Sequence, residues 1–347
     1  MASSLRNLLL VVVLTSVAVD SATAMAASSS RSAGRRPLFR EYIGAEGLNV
    51  TLADVPVHPG VDFDFILAFA IDYAVADAGN SSANSTAAPP PCPTDGRFNV
   101  FWDEAHLTPA AVAAAKANHR NCTSTGNNRV RVALSLGGDS VGAGYNATFR
   151  ASSVECWVDN AASSLTEIIR RYGLDGVDVD YEHFGDRETP AVFAECVGRL
   201  VQRLKAQRVI SFASIAPFAN PEVQAHYGEL WRRYGSEFDA VNFQFYAYAA
   251  NTTVDQFLGY YDEQSVRYAT GAGEEGGGKV LVGFGTDPAS GGLRPGKGFF
   301  RACRALRRQG RLHGVFVWAA DNSAAGGFRY ERRAQRFLAG DAPGFTA

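Results

Sequence analysis

The chain has 347 residues, 46% hydrophobic and 20% charged, with a formal net charge of -2. That length buries one large α/β barrel or two modest domains, and so small a net charge gives no electrostatic footprint for nucleic acid or an anionic membrane. Five cysteines and six scattered histidines show no metal-ligand spacing, so neither a metal nor a cofactor is expected.

In chain order, Arg6 precedes an apolar run from Leu8 to Val19, followed by Ser21-Ala22-Thr23-Ala24. This is the order of a secretory signal over residues 1–24, and the run is too short to span a bilayer. Residues 25–36, rich in Ala, Ser and Arg, read as a disordered lead-in, and 37–347 as one folded domain. The expected product is secreted, extracellular or vacuolar, monomeric and not membrane-bound. Six N-x-S/T sequons, at Asn49, Asn80, Asn84, Asn121, Asn146 and Asn251, agree with that route. Cys92 and Cys122 lie in loops and are placed to pair, whereas Cys156, Cys196 and Cys303 fall in helical patterns and read as buried thiols.

From residue 38 onward, short apolar runs alternate with amphipathic stretches. Strands are predicted at 38–44, 63–73, 130–138, 174–182, 208–217, 239–248, 279–287 and 314–321. Most are continuous hydrophobic runs, as expected of strands covered on both faces. Helices are predicted at 107–120, 154–172, 189–206, 221–234, 253–267, 297–310 and 328–338. The alternation predicts the α/β class and a single (β/α)8 TIM barrel, with a doubly wound open sheet as the alternative. Residues 74–97 form a low-complexity insertion, and 270–278 a Gly-rich connection.

Two motifs mislead. Gly138-Asp139-Ser140-Val141-Gly142 matches a serine nucleophile elbow in letters, but no helical pattern begins after it. Gly271-x-Gly273-x-x-Gly276 matches a dinucleotide fingerprint, yet it precedes a strand instead of following one.

The informative segment is LDGVDVDYEHF, residues 174–184. Strand alternation puts Asp178, Asp180 and Glu182 on one face and Val177, Val179 and Tyr181 on the other. In a barrel the carboxylates point inward, with Glu182 nearest the C-terminal rim where barrel active sites are built. Asp175 has the opposite parity and reads as a turn residue. Crowded interior carboxylates cannot all ionise cheaply, so one is expected to hold a proton and serve as a general acid. A calcium site is the poorer reading, because calcium loops favour Asn and Gly in turn geometry.

Residues Asp175 to Glu182 also match the D-G-x-D-x-D-x-E signature of glycoside hydrolase family 18. Ser135, Gly137 and Gly138 match the S-x-G-G of its third strand. Gln244-Phe245-Tyr246 matches the sixth-strand Q-F-Y, Trp318 the tryptophan ending the eighth, and Tyr42 and Phe69 resemble aromatics of the first two. The chain most resembles the bulb-type, chitinase-2-like plant branch. The resemblance implies a secreted endochitinase acting on chitin or N-acetylglucosamine oligomers by substrate-assisted, retaining catalysis. It implies Glu182, Asp180, Asp178 and Tyr246 as catalytic residues, with Asp178 and Asp180 sharing a proton. Trp318, Gln244, Tyr42, Phe69, Ser135, Gly137 and Gly138 are implied as substrate-binding, with an ordinary core tryptophan as the alternative for Trp318. Ala247 and Ala45 stand where better-known plant members carry Asn and Gln, which removes two polar sugar contacts. The resemblance also admits a lectin-like, storage or glycosidase-inhibitor protein, and an N-glycan core as substrate.

Overall fold

Eight parallel strands surround a common interior in the computed structural model, which describes residues 36–74, 91–120, 128–269 and 279–341. They are β1 (Leu38–Ile43), β2 (Asp62–Ile71), β3 (Val130–Gly138) and β4 (Gly176–Tyr181). The second half comprises β5 (Phe212–Ile215), β6 (Ala240–Val241), β7 (Val282–Gly285) and β8 (Gly314–Trp318). Neighbours run β6–β5–β4–β3–β2–β1–β8–β7. A parallel bridge between Val241 and Val280 closes the ring, with Val241 N–H donating to Lys279 O at 2.7 Å and Leu281 N–H to Val241 O at 2.9 Å. The expected (β/α)8 barrel is therefore the fold.

Among the described residues, seven helices longer than the single turn Ala320–Ser323 cover the strands: α1 (Pro109–Arg120), α2 (Val154–Tyr172), α3 (Pro190–Ala206) and α4 (Pro221–Tyr234), then α5 (Val254–Arg267), α6 (Phe299–Arg308) and α7 (Arg329–Ala339). Their starts follow from local chemistry. The side chains of Ser153, Thr189 and Asn220 cap α2, α3 and α4, and Thr253 forms a reciprocal capping box with Gln256 at α5. Arg170-Arg171, Arg232-Arg233 and Arg307-Arg308 occupy the last turns of α2, α4 and α6, where cations suit the helix dipole. Arg332-Arg333 lies nearer the start of α7.

The main core lies between the strands and this helical layer. Val177, Val179 and Tyr181 project into it from β4, against Trp157 and Leu165 of α2 and Phe193 of α3 among others. Tyr227 of α4 fixes the end of β4 by donating to Val179 O and Tyr181 O at 3.2 and 3.1 Å.

Several predicted boundaries contract. The sixth strand keeps only Ala240–Val241, because the chain turns into a 3-10 helix at Phe245–Ala247, with Phe245 N–H already donating to Phe243 O. The fifth starts at Phe212, since Arg208 to Ile210 still bond back to the end of α3. Ser140–Gly142 pairs antiparallel with Tyr145–Asn146, and α2 begins only at Val154, so the elbow geometry is not formed. Cys196 and Cys303 are buried, but Cys156 is exposed on the first turn of α2. The signal segment 1–24, residues 25–35, 75–90 and 270–278, Cys122, and the sequons at Asn80, Asn84 and Asn121 lie outside the described residues.

Candidate active site

The register of three adjacent strands sets the deepest carboxylate. Asp178 pairs laterally with Ser135 on β3 and Ser214 on β5, so both hydroxyls face it at one level. Ser135 Oγ donates to Asp178 Oδ2 at 2.8 Å and Ser214 Oγ to Oδ1 at 2.5 Å. Tyr42 OH donates to Oδ2 at 2.8 Å, and Asn242 Nδ2 to Oδ1 at 3.1 Å. Asp178 is 0% exposed. Four donors thus converge on the two oxygens of this carboxylate.

One step towards the rim, Asp180 pairs laterally with Gly137. Gly137 has φ +93°, and a Cβ there would come within 2.8 Å of Tyr181 Cδ1. At Gly138 (φ +82°) a Cβ would meet the Phe69 ring at 2.7 Å. Gln244 Nε2 donates to Asp180 Oδ1 at 2.8 Å and Ala216 O at 2.9 Å, and reaches Glu182 Oε1 at 3.2 Å. Burial first, then the charges of Glu182 and Asp178, push the Asp180 carboxyl well above the carboxylate range. Glu182 is pushed up to about 7, chiefly by burial and further by the Asp139 charge, against the opposing effects of Gln244 and His183. The arrangement thus retains a proton at the rim near neutral pH, which is what general-acid chemistry requires.

His183, next to Glu182, is tied down from outside the barrel. Its Nε2 lies 2.7 Å from Asp139 Oδ1 and its Nδ1 3.4 Å from Asn146 Nδ2. Thr148–Phe149 pairs with His183–Phe184 just beyond the end of β4.

Aromatic side chains form the wall beside the carboxylates. Trp318 stacks with Phe69 at a ring separation of 5.7 Å and meets Tyr42 edge-on at 5.5 Å. Tyr246 packs edge-on against Phe316 at 6.0 Å. Burial and the charges of Asp180, Glu182 and Asp178 push the Tyr246 phenol well above its ordinary value, so it remains a proton donor. Trp318, Phe69 and Tyr246 are partly exposed.

The residues expected to touch substrate therefore divide. Trp318 and Phe69 have accessible rings. Ser135 and Tyr42 are buried and bonded to Asp178, Gln244 is buried against Asp180, and Gly137 and Gly138 give steric room. The polar groups of Ser135, Tyr42 and Gln244 engage the carboxylates, and the two glycines have no side chain to offer. Asn242 and Ser214 were not anticipated. Asn242 has the parity of Gln244 and Tyr246 in NFQFY, and Ser214 is a polar residue inside an apolar strand, so both left a trace. Asp175, the outlier of the acidic run, pairs with Lys116 Nζ at 2.6 Å and accepts from Val132 N–H, remote in role from the rim.

Comparison with known proteins gives a consistent placement. Residues 93–285 match the family described as glycosyl hydrolases family 18. The chain is 55% identical over 305 residues to Chitinase 1 of Tulipa saxatilis subsp. bakeri, covering 87% of each protein. A family 18 chitinase structure from Crocus vernus superposes with a TM-score of 0.76 at 45% identity, over 87% of this chain and 99% of that one. RuBisCO-associated protein of Glycine max is 32% identical over 206 residues, 59% of this chain and 64% of that protein. The chain belongs to glycosyl hydrolases family 18.

Proposed function

We propose that this family 18 member is a secreted endochitinase that cleaves β-1,4 bonds between N-acetylglucosamine units with retention of configuration. The observation that carries the reading is the complete carboxylate row with Glu182, its proton affinity raised to about 7, at the rim.

Glu182 donates its proton to the glycosidic oxygen as the bond to the anomeric carbon breaks. The acetamido oxygen of the same sugar attacks that carbon, giving an oxazolinium intermediate, and no protein nucleophile is consumed. Asp180 accepts a hydrogen bond from the acetamido N–H and so orients that group for attack. Tyr246 donates to the acetamido oxygen. Water activated by the now anionic Glu182 then opens the ring and restores the proton. Asp178, gripped by four donors, is held in place under the moving groups, and Trp318 with Phe69 forms the platform for the sugar at the cleavage point.

A non-catalytic binding role is the competing reading, given a relative whose name carries no hydrolase activity. What supports catalysis is that Asp178, Asp180, Glu182 and Tyr246 are all present, with Gln244 Nε2 touching both Asp180 and Glu182. The test is incubation of wild type and Glu182→Gln with chitooligosaccharides. Cleavage by wild type alone supports the proposal. Sugar binding with no cleavage by either protein would establish the binding role instead, and preference for N-glycan cores over chitooligosaccharides would change the substrate.

A further inference from the structure

Beneath the carboxylates the barrel holds a second polar layer that the proposed chemistry does not use. Arg40 on β1 is 0% exposed and points inward two residues before Tyr42. Its Nε donates to Asp64 Oδ2 at 3.2 Å and its Nη1 to Asn242 Oδ1 at 2.9 Å. Asp64 is already taken by Arg131, whose Nε and Nη2 reach its two oxygens at 2.7 Å each. The Phe212 ring lies 3.6 Å from the Arg131 guanidinium and 5.6 Å from that of Arg40. Two guanidinium charges thus face one carboxylate, and a buried charge of that kind persists only where a counter-charge is within reach.

The second bond of Arg40 shows where the surplus goes. Asn242 accepts from Arg40 through Oδ1, so its Nδ2 is turned towards Tyr42 OH at 2.9 Å and Asp178 Oδ1 at 3.1 Å. An amide has the same shape after a half-turn but the opposite polarity. Arg40 has no acceptor to offer, so a flipped Asn242 would set an N–H2 against the guanidinium and its oxygen against Asp178. The groups facing Asp178 are Tyr42 from β1, Ser135 from β3, Ser214 from β5 and Asn242 following β6, with Asp180, Glu182 and Tyr246 above. None of these is a cation, and the relay through Asn242 joins Asp178 to the surplus positive charge.

We propose that Arg40 is a positioning residue for glycoside cleavage: it locks the Asn242 amide so that Asn242 and Tyr42 hold Asp178 beneath Asp180. This rests on the reading that the Asp178–Asp180–Glu182 row cleaves the sugar bond. The test is a double-mutant cycle of Arg40→Met and Asn242→Leu, with Arg40→Lys as the conservative variant, on chitohexaose. Each single change is expected to lower kcat about 10–100-fold, typical of a lost preorganised contact, with KM within about threefold. The double variant is expected to match the worse single one, and Arg40→Lys to recover most of the loss by donating to Asn242 Oδ1.

Multiplying losses, or a wild-type kcat in Arg40→Met, would overturn the relay. If the Arg40 variants do not fold, Asn242→Asp serves instead. It keeps an acceptor for Arg40 but can donate to Asp178 only while protonated, so its kcat is expected to fall faster with rising pH than that of wild type. A parallel pH profile would count against the proposal. A wild type that binds chitobiose thiazoline but cleaves nothing would defeat the hydrolase reading alone. The same cycle run on thiazoline affinity would then support the relay by non-additive losses or overturn it by additive ones.

Discussion

Gln244 Nε2 stands 2.8 Å from Asp180 Oδ1, and the same nitrogen also serves Ala216 O and Glu182 Oε1. An amide nitrogen has two hydrogens, so three acceptors share two donors, and the contact to Glu182, at 3.2 Å, is the longest. Gln244 thereby fixes Asp180 while leaving the acid at the rim loosely held. Its hydrogen bonds also oppose the upward pressure on both carboxyls. Replacing it with Leu is expected to raise both proton affinities. The alkaline limb of the kcat/KM profile should move to higher pH while the maximal rate falls about tenfold or more as Asp180 loses its anchor. An unmoved limb would show that the amide has no part in holding these protons.

The pH profile of the wild type follows from Glu182. Its carboxyl, pushed up to about 7, must be protonated to act, so kcat/KM is expected to decline as pH rises through that value. Asp139 contributes to the upward push, and it is exposed, so solvent screening keeps its effect small. Asp139→Asn should move the alkaline limb to lower pH, and only slightly. Profiles of the two proteins measured at one ionic strength decide the matter, and a shift to higher pH would contradict the assignment.

Tyr246→Phe removes one hydroxyl from a ring that already packs on Phe316. A donor aimed at charge developing in the transition state is worth about 10²–10³ in rate. We expect kcat to fall by that order with KM little changed, because the ring keeps its place. A change confined to KM would move Tyr246 from the chemistry to ground-state binding.

Glu41 makes a separate prediction about stability. It sits on β1 beside Tyr42 but faces the helices, is 0% exposed, and neither carboxyl oxygen has a hydrogen-bond partner. Burial first, then the charges of Glu331 and Asp321, push its carboxyl well above the ordinary range. A carboxyl raised in this way favours the folded state while protonated in both states, below an unfolded value of about 4.3. The contribution is lost as pH rises towards the folded-state value. Glu41→Gln removes that titration, so its melting temperature relative to wild type is expected to climb between pH 4 and pH 8. A difference independent of pH would show that Glu41 does not carry the strain.

How much of this was legible beforehand depends on the residue. The inward row Asp178, Asp180, Glu182 and the outward row Val177, Val179, Tyr181 were readable because a strand has period two and a barrel has two covered faces. The helices were readable from apolar spacing, with caps such as Ser153 and Thr253 marking their starts. The sixth strand was overestimated, since NFQFYAY keeps strand-like letters while its backbone turns at Phe245. The contacts of Ser135, Tyr42 and Gln244 with the carboxylates were not legible, because they depend on register with strands far away in the chain. Asn242 meets Tyr42 across 200 positions, a pairing that no local pattern announces.

The central claim is that Glu182 supplies the proton and the substrate's own acetamido group supplies the nucleophile. The most direct measurement is a proton NMR time course of chitohexaose cleavage, read at the anomeric signals before mutarotation equilibrates them. The account predicts that the new reducing ends appear first as the β-anomer. Initial release of the α-anomer would contradict it, because direct attack by water inverts the centre that two successive displacements retain.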